Sequence, residues 1–136
     1  MASAIYPKFK QQILGAGTNT DLTSGTVKCV LVDTGTYTYS TSHEFLSDVA
    51  GGARIGTPQT IGSKTVTNGV FDGADITFPS VSGASVEALL IYVDTGVEAT
   101  SPLVVFIDSA DVTNLPATPS GSDIPVIWNA SGIFAL

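Results

Sequence analysis

The stretch Val86-Glu87-Ala88-Leu89-Leu90-Ile91-Tyr92-Val93, followed by Leu103-Val104-Val105-Phe106-Ile107, decides the fold. Both runs are apolar on the two faces of an extended chain, as expected of central strands lying between two covered surfaces. Upstream, residues 26–32 place Val27, Cys29 and Leu31 on one side and Thr26, Lys28 and Val30 on the other, which predicts a third strand. Shorter β-prone runs are punctuated by turn residues: an Asn68-Gly69 hairpin joins 65–67 to 70–71, and 76–78, 124–128 and 132–134 follow. Pro125 has no N–H for a ladder and pushes 124–128 towards a sheet edge. Strands at this density, divided by Gly and Pro turns, predict an all-β fold, a β-sandwich or jelly roll, and not a βαβ layout.

Two short helices are expected beside the strands. Pro7 suits a first helical turn, Gly15 and Gly17 end the helix, and Phe9 and Ile13 share one face, with Ile5 and Tyr6 just outside. Such a segment either docks on a sheet edge or reaches out to grip another subunit. Tyr37 and Tyr39 alternate with threonines over 36–40 in a strand pattern. Thr41-Ser42-His43-Glu44 then reads as a capping box opening the second helix through Phe45, Leu46 and Val49, stopped by Gly51 and Gly52. Residues 111–123, with Pro116 and Pro119, form the longest stretch without a strand pattern and are expected to be an ordered surface loop that carries contacts. The chain thus divides into an N-terminal segment, 1–17, and a single β-domain, 18–136.

Charge narrows the function. The net charge is -7, and all five basic residues fall within the first 64 of the 136 positions. Phosphate backbones are bound by clustered cations that release counterions, so nucleic acid is not an expected partner. Arg54 is the one side chain with a forked anion clamp. Charged residues make up only 12% of the chain, against the ~25% usual for soluble domains, so much of this mildly polar surface is expected to be covered by neighbours. No apolar run is long enough for a membrane helix, and Met1 to Pro7 lacks the pattern of a secretory leader, which implies assembly in a cytoplasm. The lone Cys29, inside a strand, is expected to be a buried small hydrophobe.

Asp-Thr-Gly occurs twice, at Asp33 and at Asp94, each time after an apolar strand. Paired aspartates sharing a proton activate water in aspartic proteases, which requires the two carboxyls to meet. Asp, Thr and Gly are equally the ordinary residues of a turn, and Ile107-Asp108-Ser109 closes another strand in the same style, which favours the turn reading. His43 is the single histidine, no Gly-x-Ser-x-Gly elbow exists, and one His with one Cys makes no typical zinc site. Asp72 and Asp75 have ligand chemistry for calcium but lack EF-hand spacing, and read as loop carboxylates. No catalytic residue, metal or cofactor is therefore expected. Tyr37, Tyr39 and Trp128 are the aromatics that a carbohydrate-binding sandwich would expose.

Over nearly its full length the chain resembles small virion structural proteins of tailed bacteriophages. The likeness is carried by Ile5-Tyr6-Pro7-Lys8-Phe9-Lys10, the stretch from Val27 to Tyr39, Thr65-Val66-Thr67-Asn68-Gly69-Val70-Phe71-Asp72, the stretch from Glu87 to Gly96, and Trp128-Asn129-Ala130-Ser131-Gly132-Ile133-Phe134. Capsid decoration, or cement, proteins match best in size and in the β-reading. That resemblance implies a protein on the capsid exterior, self-associated as a dimer or trimer, bridging adjacent subunits of the major capsid protein. A tail, baseplate or fibre-associated adaptor is the alternative, and a carbohydrate-binding module a lesser one. Side-chain type then nominates contact residues: Ile5, Tyr6, Lys8, Phe9 and Lys10 of the N-terminal segment towards a neighbouring subunit, Arg54 with the other cations towards an acidic capsid surface, and Leu115 and Pro116 in the long loop.

Overall fold

The structure, a computed structural model, describes residues 3–136. In chain order the elements are β1 (Ala4–Ile5), α1 (Pro7–Leu14), β2 (Val27–Val32), β3 (Arg54–Thr60), β4 (Thr65–Thr67), β5 (Val70–Asp72), β6 (Ile76–Phe78), β7 (Ala88–Val93), β8 (Leu103–Asp108), β9 (Ile124–Val126) and β10 (Phe134–Ala135). A five-stranded antiparallel sheet runs β1-β8-β7-β2-β3, accompanied by a three-stranded sheet β10-β5-β4 and a two-stranded sheet β6-β9. The fold is all-β and sandwich-like, with one short α-helix, as the strand pattern predicts.

The three runs that read as strands form the middle of the large sheet, and pleating explains why both of their faces are apolar. Opposed residues of an antiparallel ladder share a face. Leu90 lies opposite Val30 on β2 and Phe106 on β8, and this row meets Tyr37 and Tyr39, whose rings sit 6.4 and 5.6 Å from that of Phe106. Ile91 lies opposite Cys29 and Val105, and Leu89 opposite Leu31 and Ile107, so these side chains fill the other face. The small sheets contribute Phe71, Ile76, Phe78, Ile124 and Val126 to the same core. Every residue of β7 is buried, and each such large apolar side chain contributes on the order of 1.5–3 kcal/mol before chain entropy is counted.

The hairpin forms where Asn68-Gly69 predicts it. Thr67 pairs with Val70, and both turn residues take positive φ, 52° and 79°, as a type I′ turn requires. Pro125 sits opposite Thr77 in the two-stranded sheet, a position compatible with its missing donor.

Other expectations are corrected. Residues 36–40 are not a strand: Asp33 ends β2 in a turn, its carboxylate accepting the Gly35 N–H at 2.8 Å and its carbonyl accepting the Tyr37 N–H at 3.0 Å. That turn sends Tyr37 into the core. The second helix is a single 3-10 turn, Leu46–Asp48, and its cap is Asp48, which accepts the N–H groups of Glu44 and Phe45 at 2.8 and 3.1 Å. The expected Thr41 to Glu44 box does not form. Strand β3 was not evident in the sequence, because Gly56 at φ 73°, Pro58 and a register shift opposite Cys29 and Leu31 erase its alternation. Strand β1 is too short to carry a pattern, yet it pairs Ala4 with Phe106 and Ile5 with Val105.

Candidate functional site

The N-terminal segment docks on its own chain. Beyond the β1 ladder, the Tyr6 N–H donates to the Val104 carbonyl at 3.0 Å, and Tyr6 and Phe9 are fully buried. Two residues nominated as subunit contacts are thus spent inside the core, and Leu115 joins them there, leaving Pro116 exposed in the long loop. Ile5 is half-buried in β1. On α1, Phe9 and Ile13 face the core, while Pro7, Lys10, Gln11 and Leu14 form the outward stripe at i, i+3, i+4 and i+7. Leu14 is 88% exposed.

Arg54 turns inward. Its guanidinium donates to the Val49 and Leu46 carbonyls at 2.6–3.0 Å, closing the end of the 3-10 turn, and pairs with Glu98 at 2.8 Å. The fork of Arg54, nominated as an anion-facing contact, is thus engaged by carbonyls of its own chain. The cation holds the Glu98 carboxyl below the usual range. Lys28 pairs with Asp94 at 2.9 Å, and that hydrogen bond, with the Gly96 N–H, lowers the Asp94 pKa. Lys64 donates to the Gly25 carbonyl. Lys8, Lys10 and Lys64 make no ion pair among the described residues, and two of these three cations stand on α1.

The paired-aspartate arrangement is not formed. Val27 opposes Val93 and Val32 opposes Ala88, so Asp94 lies beside Thr26 at one end of the β2/β7 pair and Asp33 beyond Val32 at the other. At ~3.3 Å per residue the two carboxyls stand roughly 20 Å apart. Each closes a local turn instead, Asp33 on Gly35 and Asp94 on Gly96. Asp72 accepts its neighbour Gly73 N–H and Asp75 accepts the Trp128 N–H, both at 2.9 Å. No group of three or more His, Cys, Asp or Glu able to hold a metal occurs among the described residues. Cys29 is fully buried, and burial raises its thiol pKa, which leaves a poor nucleophile.

Of the aromatics, Tyr37 and Tyr39 form no exposed platform. The Tyr6 and Tyr37 hydroxyls lie 2.8 Å apart, Tyr37 reaches His43 Nδ1 at 2.8 Å, and the Tyr39 ring packs 5.0 Å from Tyr6. Burial pushes the Tyr37 hydroxyl up to about 12, so this hydroxyl stays un-ionised. Trp128 is different. It is half-buried against the core, its indole Nε1 donates to the Ala74 carbonyl at 3.0 Å, its backbone is held by Asp75, and the residue lines an open groove of about 640 Å³. Val105 and Ile107 of β8 are part of the groove wall, and Asp111, Thr113 and Asn129 stand along it. Of the residues along the groove only Trp128 was singled out by side-chain type, since Asp111 and Thr113 lie in a loop without a strand pattern. The one local signal was a tryptophan followed by an Asx turn, in which Asn129 Oδ1 accepts the Ser131 N–H and hydroxyl at 2.9 and 2.7 Å.

No helix of the described residues is long and apolar enough to cross a membrane. No protein-family model matches this chain, and no curated protein sequence matches it.

Proposed function

We propose that this chain is a structural protein of a tailed-phage virion, bound to the capsid exterior and bridging adjacent major capsid subunits. The observation that carries the reading, beside the resemblance over nearly the full length, is the surface of α1. The helix is tied down through β1, Tyr6 and Phe9, so a contact made by its outer face bears directly on the sheet. Lys8 and Lys10 stand near the helix N-terminus with no acid in the first turn. Peptide dipoles already make that end positive, so each lysine costs about 0.3–1 kcal/mol of helix stability unless a partner supplies negative charge. An acidic capsid surface with an apolar recess for Leu14 fits this face. Many copies, each with a modest contact, reinforce one another by multivalency.

Cryo-EM of purified particles of the source phage tests the proposal. Density for this fold repeated over the capsid exterior, with α1 turned towards the shell, is expected. Density at the tail alone would replace the proposal with an adaptor role, and absence from the particle would end it.

A further inference from the structure

The groove beside Trp128 has a composition that selects a ligand class. Its volume, about 640 Å³, lies in the range of small-molecule sites. Among the described residues no lysine, arginine or histidine lines it, so no described side chain there neutralises a phosphate or carboxylate. Asp111 is its one acid and is engaged by the Ser3 hydroxyl, which gives no set of oxygens for a metal ion. What remains is a largely aliphatic wall that includes Val105, Ile107 and Val112, the aromatic residues Trp128 and Phe134, and a few neutral hydrogen-bonding groups. The indole N–H is consumed by Ala74, which fixes the ring and leaves it as an apolar surface. Asn129 spends its oxygen on Ser131, so its amide nitrogen keeps two donors for a ligand, and the Thr113 hydroxyl and the second Asp111 oxygen add a donor and acceptors.

We propose that this groove binds a neutral saccharide. A pyranose ring offers C–H groups on one face and hydroxyls around its rim, which matches an indole surface flanked by an amide, a hydroxyl and a carboxylate oxygen. The saccharide lies along Trp128 with its rim hydroxyls on Asn129, Thr113 and Asp111. This site is independent of the capsid contact through α1, which lies on another element.

Trp128 is the single tryptophan, so intrinsic fluorescence reports on the groove directly. The full chain is titrated to millimolar concentration with cellohexaose, maltohexaose, mannohexaose and chitohexaose, and with a heparin hexasaccharide as the anionic control. A saturable change in Trp128 emission with at least one neutral sugar is expected, and none with heparin. Asn129→Asp keeps the oxygen that holds Ser131 but removes the donors, and Thr113→Val removes the hydroxyl at nearly constant shape. Each is expected to weaken binding about tenfold, as for a lost ligand hydrogen bond. Silence with all four neutral sugars overturns the proposal. So does an equal response to heparin, or a sugar response that both variants leave unchanged.

Discussion

Asp33 and Asp94 leave the sheet at opposite ends of one antiparallel pair, each folding its carboxylate onto the N–H two residues ahead. The identical triplets share that carboxylate-to-glycine bond but not the whole turn: Gly96 takes positive φ, 88°, the Asp33 carbonyl accepts the Tyr37 N–H, and Asp94 adds an ion pair with Lys28. The Asp94 pKa is lowered in the folded chain, so its contribution is present above the unfolded carboxylate value near ~4 and is lost as pH falls through the folded value. Asp94→Asn is expected to cost less than about 1 kcal/mol near neutrality. Urea unfolding of wild type and variant at neutral and at strongly acidic pH checks this, with the difference expected to vanish in acid. A difference that grows on acidification contradicts it.

Tyr37 occupies the middle of the Tyr6, Tyr37, His43 chain. Tyr37→Phe strands the buried Tyr6 hydroxyl and is expected to cost about 1–3 kcal/mol. Tyr6→Phe leaves the bond to His43 in place and costs less, and the double variant costs less than the sum. Denaturant unfolding of the three variants measures the coupling; strict additivity would show that the hydroxyls do not interact.

Arg54 stabilises mainly through carbonyls and not through Glu98. Glu98 is an exposed partner, so Glu98→Gln is expected to change stability by less than about 1 kcal/mol. Arg54→Lys retains the charge but lacks the fork that reaches Leu46 and Val49 together, and is expected to cost about 1–3 kcal/mol. Equal losses in the two variants, measured by thermal unfolding, would assign the effect to the ion pair.

Cys29 lies at the centre of β2 with no exposed surface. Its reaction with a thiol reagent such as dithionitrobenzoate is expected to be absent in the native protein and complete in denaturant. Rapid labelling without denaturant would show that the sheet opens locally.

Lys10 on the outward stripe of α1 and the part-buried Lys8 beside it are the cations proposed to meet the capsid. Lys8→Glu with Lys10→Glu is expected to abolish binding to particles stripped of this protein, and to raise helix stability slightly because acids suit a first turn. Wild-type binding is expected to weaken with added salt. Sedimentation of protein with stripped particles measures both; unchanged binding by the double variant would remove α1 from the contact.

Much of the scaffold was legible because it is local. Runs of apolar residues at 86–93 and 103–107 require burial on both faces, Asn68-Gly69 supplies the two positive φ angles of a tight hairpin, and Pro7 with Gly15 brackets one helix. Strand β3 escaped because a glycine, a proline and a bulge interrupt its period. Tyr37 and Tyr39 misled because their alternation is strand-like, while Asp33 takes the backbone into a turn before a strand can start.

The sequence by itself determined the β-class, the central strands and the absence of basic residues from positions 65–136, all of which follow from side-chain period and charge. Only the tertiary structure decided which cations remain outward, since Arg54 and Lys28 meet Glu98 and Asp94 across long sequence separations. It alone separated the two Asp-Thr-Gly turns, because strand direction sets which ends of the chain meet. It alone assembled the Trp128 groove, because β8, the loop after it and the C-terminal segment are brought together by the burial of apolar faces, which composition cannot order in space.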